Sequence, residues 1–125
     1  MMNHRQRHHF KKLLLAELRR HAQHIDEEQA RALDIANDDL KESSDLALRD
    51  VIQELALKLS DHESKIVADI DQALMRMREG SYGMCVRCGR KIDGRRLEAV
   101  PTARYDAACQ AEIEAAHGDG AGPSL

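Results

Sequence analysis

The stretch DLALRDVIQELALKLSDHESKIVADIDQALMRMREG, Asp45 to Gly80, decides the fold. Within it Leu48, Ile52, Leu55, Leu59, His62, Ile66, Ile70, Leu74 and Met77 step by three or four, the spacing that lines one face of an α-helix. No Gly or Pro interrupts the run until Gly80, which supplies a C-terminal stop. The pattern predicts a helix of about 35 residues, about 50 Å long. His62 sits on the predicted apolar seam with Ile66 and Lys58 one turn away on either side, so it lacks a helical partner for a metal and reads as a seam residue. Met75 and Met77 read as packing at the helix end.

Upstream, the cluster NDDLKESSD from Asn37 to Asp45 gathers short polar side chains that compete for backbone hydrogen bonds and favour turns and helix caps. It predicts a reversal. Before it, His8 to Ala36 holds no Gly or Pro and is rich in strong helix formers, with Phe10, Leu14, Leu18, Ala22 and Ile25 on one face. Two apolar stripes of similar reach joined by a polar turn describe a mainly α fold, a long antiparallel helical hairpin over residues 1–79 with its tip near 38–47. The competing arrangement, one continuous dimerising helix, is disfavoured by the turn cluster. The start, MMNHRQRHHFKK, is basic and His-rich and reads as a solvated, frayed end.

Composition narrows the functions. The 125-residue chain carries 19 Lys and Arg against 22 Asp and Glu, a formal charge of −3, and only Phe10, Tyr82 and Tyr105 are aromatic. Such a chain is poor in core material and suits exposed helices with a narrow seam. The negative balance argues against a dedicated DNA binder, which needs a basic footprint. No apolar run approaches the roughly 20 residues of a membrane span, and the start lacks a signal-peptide core. A soluble, cytoplasmic protein is expected.

Downstream of Gly80, residues 80–117 hold all three cysteines and both tyrosines in a turn-rich module too small to fold on its own core. A short C-terminal helix is expected from about Asp106 to Ala116, then a flexible tail over 118–125. Cys85-Val-Arg-Cys88-Gly has the form of a metal knuckle. Cys109 follows, and Asp106 stands where a second C-x-x-C would begin, giving the spacing C-x2-C-x17-D-x2-C. Three readings remain open: a zinc site of Cys85, Cys88, Cys109 and Asp106 or a water; a metal-free module held by packing of Ile92, Leu97 and Val100; and a thiol switch. His117 is a poor fourth ligand, two helical turns beyond Cys109.

The run GSYGMCVRCGRKIDGRRLEAVPTA, Gly80 to Ala103, with the degenerate second knuckle ending at Cys109, resembles the DksA/TraR family of bacterial transcription regulators. The resemblance extends over about residues 8–117 and is weakest in the first helix. It implies a monomer that binds RNA polymerase, inserts its hairpin into the secondary channel and alters the stability of promoter open complexes, without sequence-specific DNA binding and without catalysis. The family's acidic tip motif falls here on Glu42, Asp45 and Ala47, the first acid being Glu in place of Asp. Zinc is the implied cofactor. Guanosine tetraphosphate, which some members bind through basic side chains, is not expected, because the aligned positions are Asp69, Val100 and Gln110. No phosphate loop, G-x-S-x-G or H-E-x-x-H motif supports an enzyme. The alternatives are a transcript-cleavage accessory factor, in which Glu42 and Asp45 help hold a magnesium ion, and a thiol- or zinc-based redox-sensing module with another partner.

Overall fold

A helix begins where a side chain satisfies the orphan N–H groups of its first turn, and the N-terminal half of this chain holds three such places. The structure, a computed structural model, describes residues 2–22, 25–38 and 42–121; the side chains of 36–38, 42–47 and 118–121 lie outside that description. Asn3 and Gln6 cap each other's backbone N–H groups at 2.8 and 3.0 Å and open α1, His4–His21. Asp26 and Gln29 do the same at 2.7 and 3.1 Å ahead of α2, Glu27–Asp38. The helix α3, Glu42–Ala56, follows, and Ser60 with Glu63 forms a third capping box at the start of α4, Asp61–Glu79. Gly80, in the left-handed region at φ 83°, ends α4 as expected.

The chain divides into two compact units, Met1–Tyr82 and Gly83–Leu125. In the first, α1 packs on α4 and α2 on α3, as in a hairpin. Each arm also folds back on itself. Arg19 of α1 pairs with Asp34 and donates to the Ala30 carbonyl of α2, and Arg49 of α3 lies 3.6 Å from Asp71 of α4. Gln29 of α2 donates to Glu54 of α3 at 3.2 Å. These contacts define an up-down-up-down arrangement of four short helices.

The mainly helical class holds, but neither expected arm is continuous. The arms break after Ala22 and over Leu57–Ser60, and α4, with 19 residues, is about 28 Å long. Leu14, Leu18, Leu33, Leu48, Leu55 and Ile70 are buried among the four helices, each contributing on the order of 1.5–3 kcal/mol. The second break resets the helical phase. His62 is therefore exposed, not on the seam, and α4 buries Val67, Ile70, Ala73 and Met77. The basic start is ordered helix, and Lys11 is buried within it. Of the tip expected near 38–47, residues 39–41 lie outside the described residues and 42–47 belong to α3.

In the second unit Asp93 caps the short helix α5, Gly94–Ala99, by accepting from the Arg95 N–H at 2.9 Å. Ile92, Leu97, Pro101 and Ala103 are buried, whereas Val100, expected in this core, is 44% exposed. The last helix, α6, runs Ala107–Ala121, five residues past its expected end at Ala116; residues 122–125 of the tail lie outside the described residues.

Candidate metal centre

The cysteines are placed by backbone geometry that the local sequence dictates. Met84 and Lys91 form an antiparallel bridge, and the Ile92 N–H donates to the Gly83 carbonyl at 2.7 Å, closing a tight loop. Inside it the Cys85 N–H donates to the Arg90 carbonyl at 2.7 Å and the Gly89 N–H to the Cys85 carbonyl at 2.9 Å. Gly89 makes the return with φ 78°, a conformation costly for a residue with a Cβ. Cys85 is thus buried and Cys88 exposed, both on one loop. The second pair comes from the start of α6, where Asp106 Oδ1 accepts from the Cys109 N–H at 2.7 Å as an N-cap.

Capping turns the other Asp106 oxygen toward the knuckle, where Oδ2 accepts from the Cys88 thiol at 3.0 Å. One ligand atom from each of Cys85, Cys88, Asp106 and Cys109 lies within 4.8 Å of all the others. A tetrahedral ion about 2.3 Å from each sulfur needs donor separations of about 3.8 Å, so small side-chain adjustments bring this set onto zinc. Among the described residues no other group of three or more His, Cys, Asp or Glu side chains converges this way.

The electrostatics of the four groups differ. Burial works to raise the Cys85 thiol, but hydrogen bonds from the Cys88, Asp106 and Arg87 backbones outweigh it and leave the group lowered to about 7. Burial pushes Cys109 up to about 12, with the neighbouring Cys88, Asp106 and Cys85 side chains adding to the effect. Cys88 is raised because its thiol proton is held by Asp106, and the same bond, with the Cys109 N–H, holds the Asp106 carboxyl below the ordinary range. The site therefore offers one ionised carboxylate, one readily ionised thiol and two thiols that release protons only to a competing cation.

The four residues expected as ligands are brought together, and His117, exposed on α6, stands outside the cluster. Glu42, Asp45 and Ala47 fall in the first turns of α3, with side chains outside the described residues; Asp45 lies within the helix, not at its capping position. Asp69 and Val100 are exposed and Gln110 is half-buried. Sequence reasoning missed the pairing of Arg87, between the knuckle cysteines, with Glu112, one helical turn past Cys109, which ties the loop to α6. The signal was present: Glu112 repeats the three-residue step from Asp106 to Cys109 and so shares their helix face.

Comparison with known proteins agrees with this geometry. Residues 80–115 match the family model described as the prokaryotic dksA/traR C4-type zinc finger, with Asp106 standing in for one of the four cysteines. The RNA polymerase-binding transcription factor DksA of Caulobacter vibrioides is 36% identical over 120 residues, covering 90% of this chain and 79% of that protein. The protein of the same name from Salmonella typhimurium is 31% identical over 120 residues, covering 90% and 74%. A solved structure of an RNA polymerase-binding regulator from Chlamydia trachomatis matches with 29% identity and a TM-score of 0.41 over 62% of this chain and 95% of that one. With its zinc-finger module and a relationship that runs through both units, the chain belongs to the DksA/TraR family.

Proposed function

We propose that this protein is a regulator of transcription that acts by binding RNA polymerase, and that it is not an enzyme. The observation that carries the reading is the 36% identity over 90% of the chain with a factor named for that partner. The formal charge of −3 supports a protein partner over duplex DNA. Zinc held by Cys85, Cys88, Cys109 and Asp106 would act as a structural clamp, fixing the knuckle to the start of α6. The helical unit would enter the secondary channel as a cytoplasmic monomer, with Glu42, Asp45 and Ala47 near the catalytic centre. A carboxylate there perturbs a magnesium and phosphate site, which accounts for an effect on short-lived open complexes.

Competition of the protein with a labelled secondary-channel ligand on core polymerase, paired with transcription from a promoter that forms unstable open complexes, tests the reading. Competition with an accompanying change in transcription is expected. Absence of binding at saturating protein would reject it, and stimulated RNA cleavage in a backtracked complex would point instead to the accessory-factor alternative.

A further inference from the structure

The ligand set of the metal centre carries more negative charge than its ion can cancel. Three thiolates and one carboxylate supply four charges, and a zinc dication removes two of them. Cys85 and Cys109 are buried, so the remainder must be met by hydrogen-bond donors of the chain itself. The knuckle distributes those donors unevenly. The Cys85 sulfur accepts from the backbone N–H groups of Cys88, Asp106 and Arg87, and the Cys88 sulfur accepts from the backbone N–H of Arg90. Cys109 stands differently. Its own N–H goes to Asp106 Oδ1, and burial together with the side chains of Cys88, Asp106 and Cys85 works against its ionised form.

What meets the Cys109 sulfur is a side chain of the opposite sign. The Arg87 guanidinium hydrogen-bonds both Glu112 and Cys109. Arg87 lies between the knuckle cysteines, and Glu112 lies one turn beyond Cys109 on the same face of α6, so the carboxylate stands beside the sulfur it helps to serve. A planar guanidinium with five N–H donors can present one edge to a carboxylate and another to a sulfur, whereas an ammonium on a flexible stem holds no such fixed fork. As an ion pair alone the contact would contribute little, because the Arg87 and Glu112 side chains are 46% and 64% exposed and pairs in that much solvent are screened. Its value is in direction: Glu112 fixes the guanidinium where Cys109 can use it. Arg87 thus reaches both buried sulfurs, Cys85 through its backbone N–H and Cys109 through its side chain.

We propose that Arg87 is a positioning residue of the zinc centre: Glu112 orients its guanidinium onto Cys109, and the cationic hydrogen bond stabilises that thiolate in the zinc-bound protein. The inference deepens the zinc-clamp reading given above and rests on it. Its consequence is a coupling between the two halves of the clamp. The loop supplies Cys85 and Cys88 and also the cation that steadies the Cys109 of α6, so the ion is held most firmly when loop and helix are docked on each other.

Competition for zinc between the reduced, full-length protein and a chromophoric chelator tests this, with two single variants set against each other. Both break the ion pair, but only Arg87→Met takes the guanidinium from the sulfur. Arg87→Met should weaken zinc binding about 10–100-fold, the usual cost of losing an outer-sphere partner, and Glu112→Ala less than about threefold. Arg87→Lys, which restores a cation without the fork, should recover part of the loss. Cobalt substituted for zinc gives a signature that a strap between loop and helix would not move: a hydrogen bond to a thiolate lowers its lone-pair energy, so the sulfur-to-cobalt charge-transfer band should shift to longer wavelength in Arg87→Met and stay in place in Glu112→Ala. The melting curves of the metal-free variants should match the wild type, since both side chains are largely in solvent.

Equal losses in Arg87→Met and Glu112→Ala with an unmoved cobalt band would make the pair a strap only and overturn the proposal. Zinc affinity of Arg87→Met within about twofold of wild type would overturn it as well, while leaving the zinc centre standing. A wild-type protein that takes up no zinc rejects the centre and the role of Arg87 with it.

Discussion

Zinc binding should release a countable number of protons, and the number follows from the environment of each ligand. At pH 7 Asp106, held below the ordinary carboxylate range, is already ionised and contributes none. Cys85, lowered to about 7, contributes about half a proton, while Cys88, raised by its bond to Asp106, and Cys109, pushed up to about 12, contribute about one each. Loading one zinc should therefore release about two and a half protons at pH 7. Because the thiols are protonated before binding, apparent affinity rises with pH, with a slope near three below about pH 6 that flattens toward two above about pH 8. Asp106→Cys replaces an ionised ligand with a thiol and should add up to about one proton. Asp106→Asn keeps an oxygen to cap the Cys109 N–H but loses the anionic donor, so affinity should fall with the proton count unchanged. Calorimetric titration of zinc into reduced, chelator-treated protein, repeated in buffers of different ionisation enthalpy, gives the count. Release of one proton or fewer would mean that the three thiols do not bind together and would refute the site.

In the same metal-free protein, alkylation by iodoacetamide should be slowed at Cys85 by its burial but keep a pH midpoint near 7 there, and should leave Cys109 largely unmodified below about pH 11, as mass spectrometry of the labelled peptides would show. Asp45→Asn and Ala47→Thr should each reduce the effect on a sensitive promoter strongly while leaving polymerase affinity within about twofold, since a few residues at the tip of the helical unit supply little of the contact area. Guanosine tetraphosphate should add little to the protein's action when the polymerase's other alarmone site is disabled, because Asp69, Val100 and Gln110 offer no cation to a polyanion; a large added effect in transcription would contradict this.

The metal centre was legible because C-x2-C-x17-D-x2-C is a local pattern whose chemistry survives without knowledge of the fold. Its second use of Asp106 was not. One carboxylate serves as helix cap and candidate ligand, and only the position of α6 shows that the two oxygens divide the work. Helix type was legible from the apolar period, whereas helix continuity was not. The stretches around Ala22–Asp26 and Leu57–Ser60 contain no Gly or Pro, and the period runs across them. The only local signs were Asp26-x-x-Gln29 and Ser60-x-x-Glu63, capping signatures weak enough to be lost inside a run of helix formers. Missing the second one carried the seam through His62, one phase error with a single cause. Lys11 was misplaced for the opposite reason: charge suggested solvent, but it follows Phe10 on the face that α1 turns inward.

The most direct test of the account is equilibrium binding of the zinc-loaded protein to core RNA polymerase in the presence and absence of a competitor that occupies the secondary channel. Saturable binding that the competitor abolishes is the predicted result. Binding that persists unchanged when the channel is blocked, or no binding at all, would contradict it.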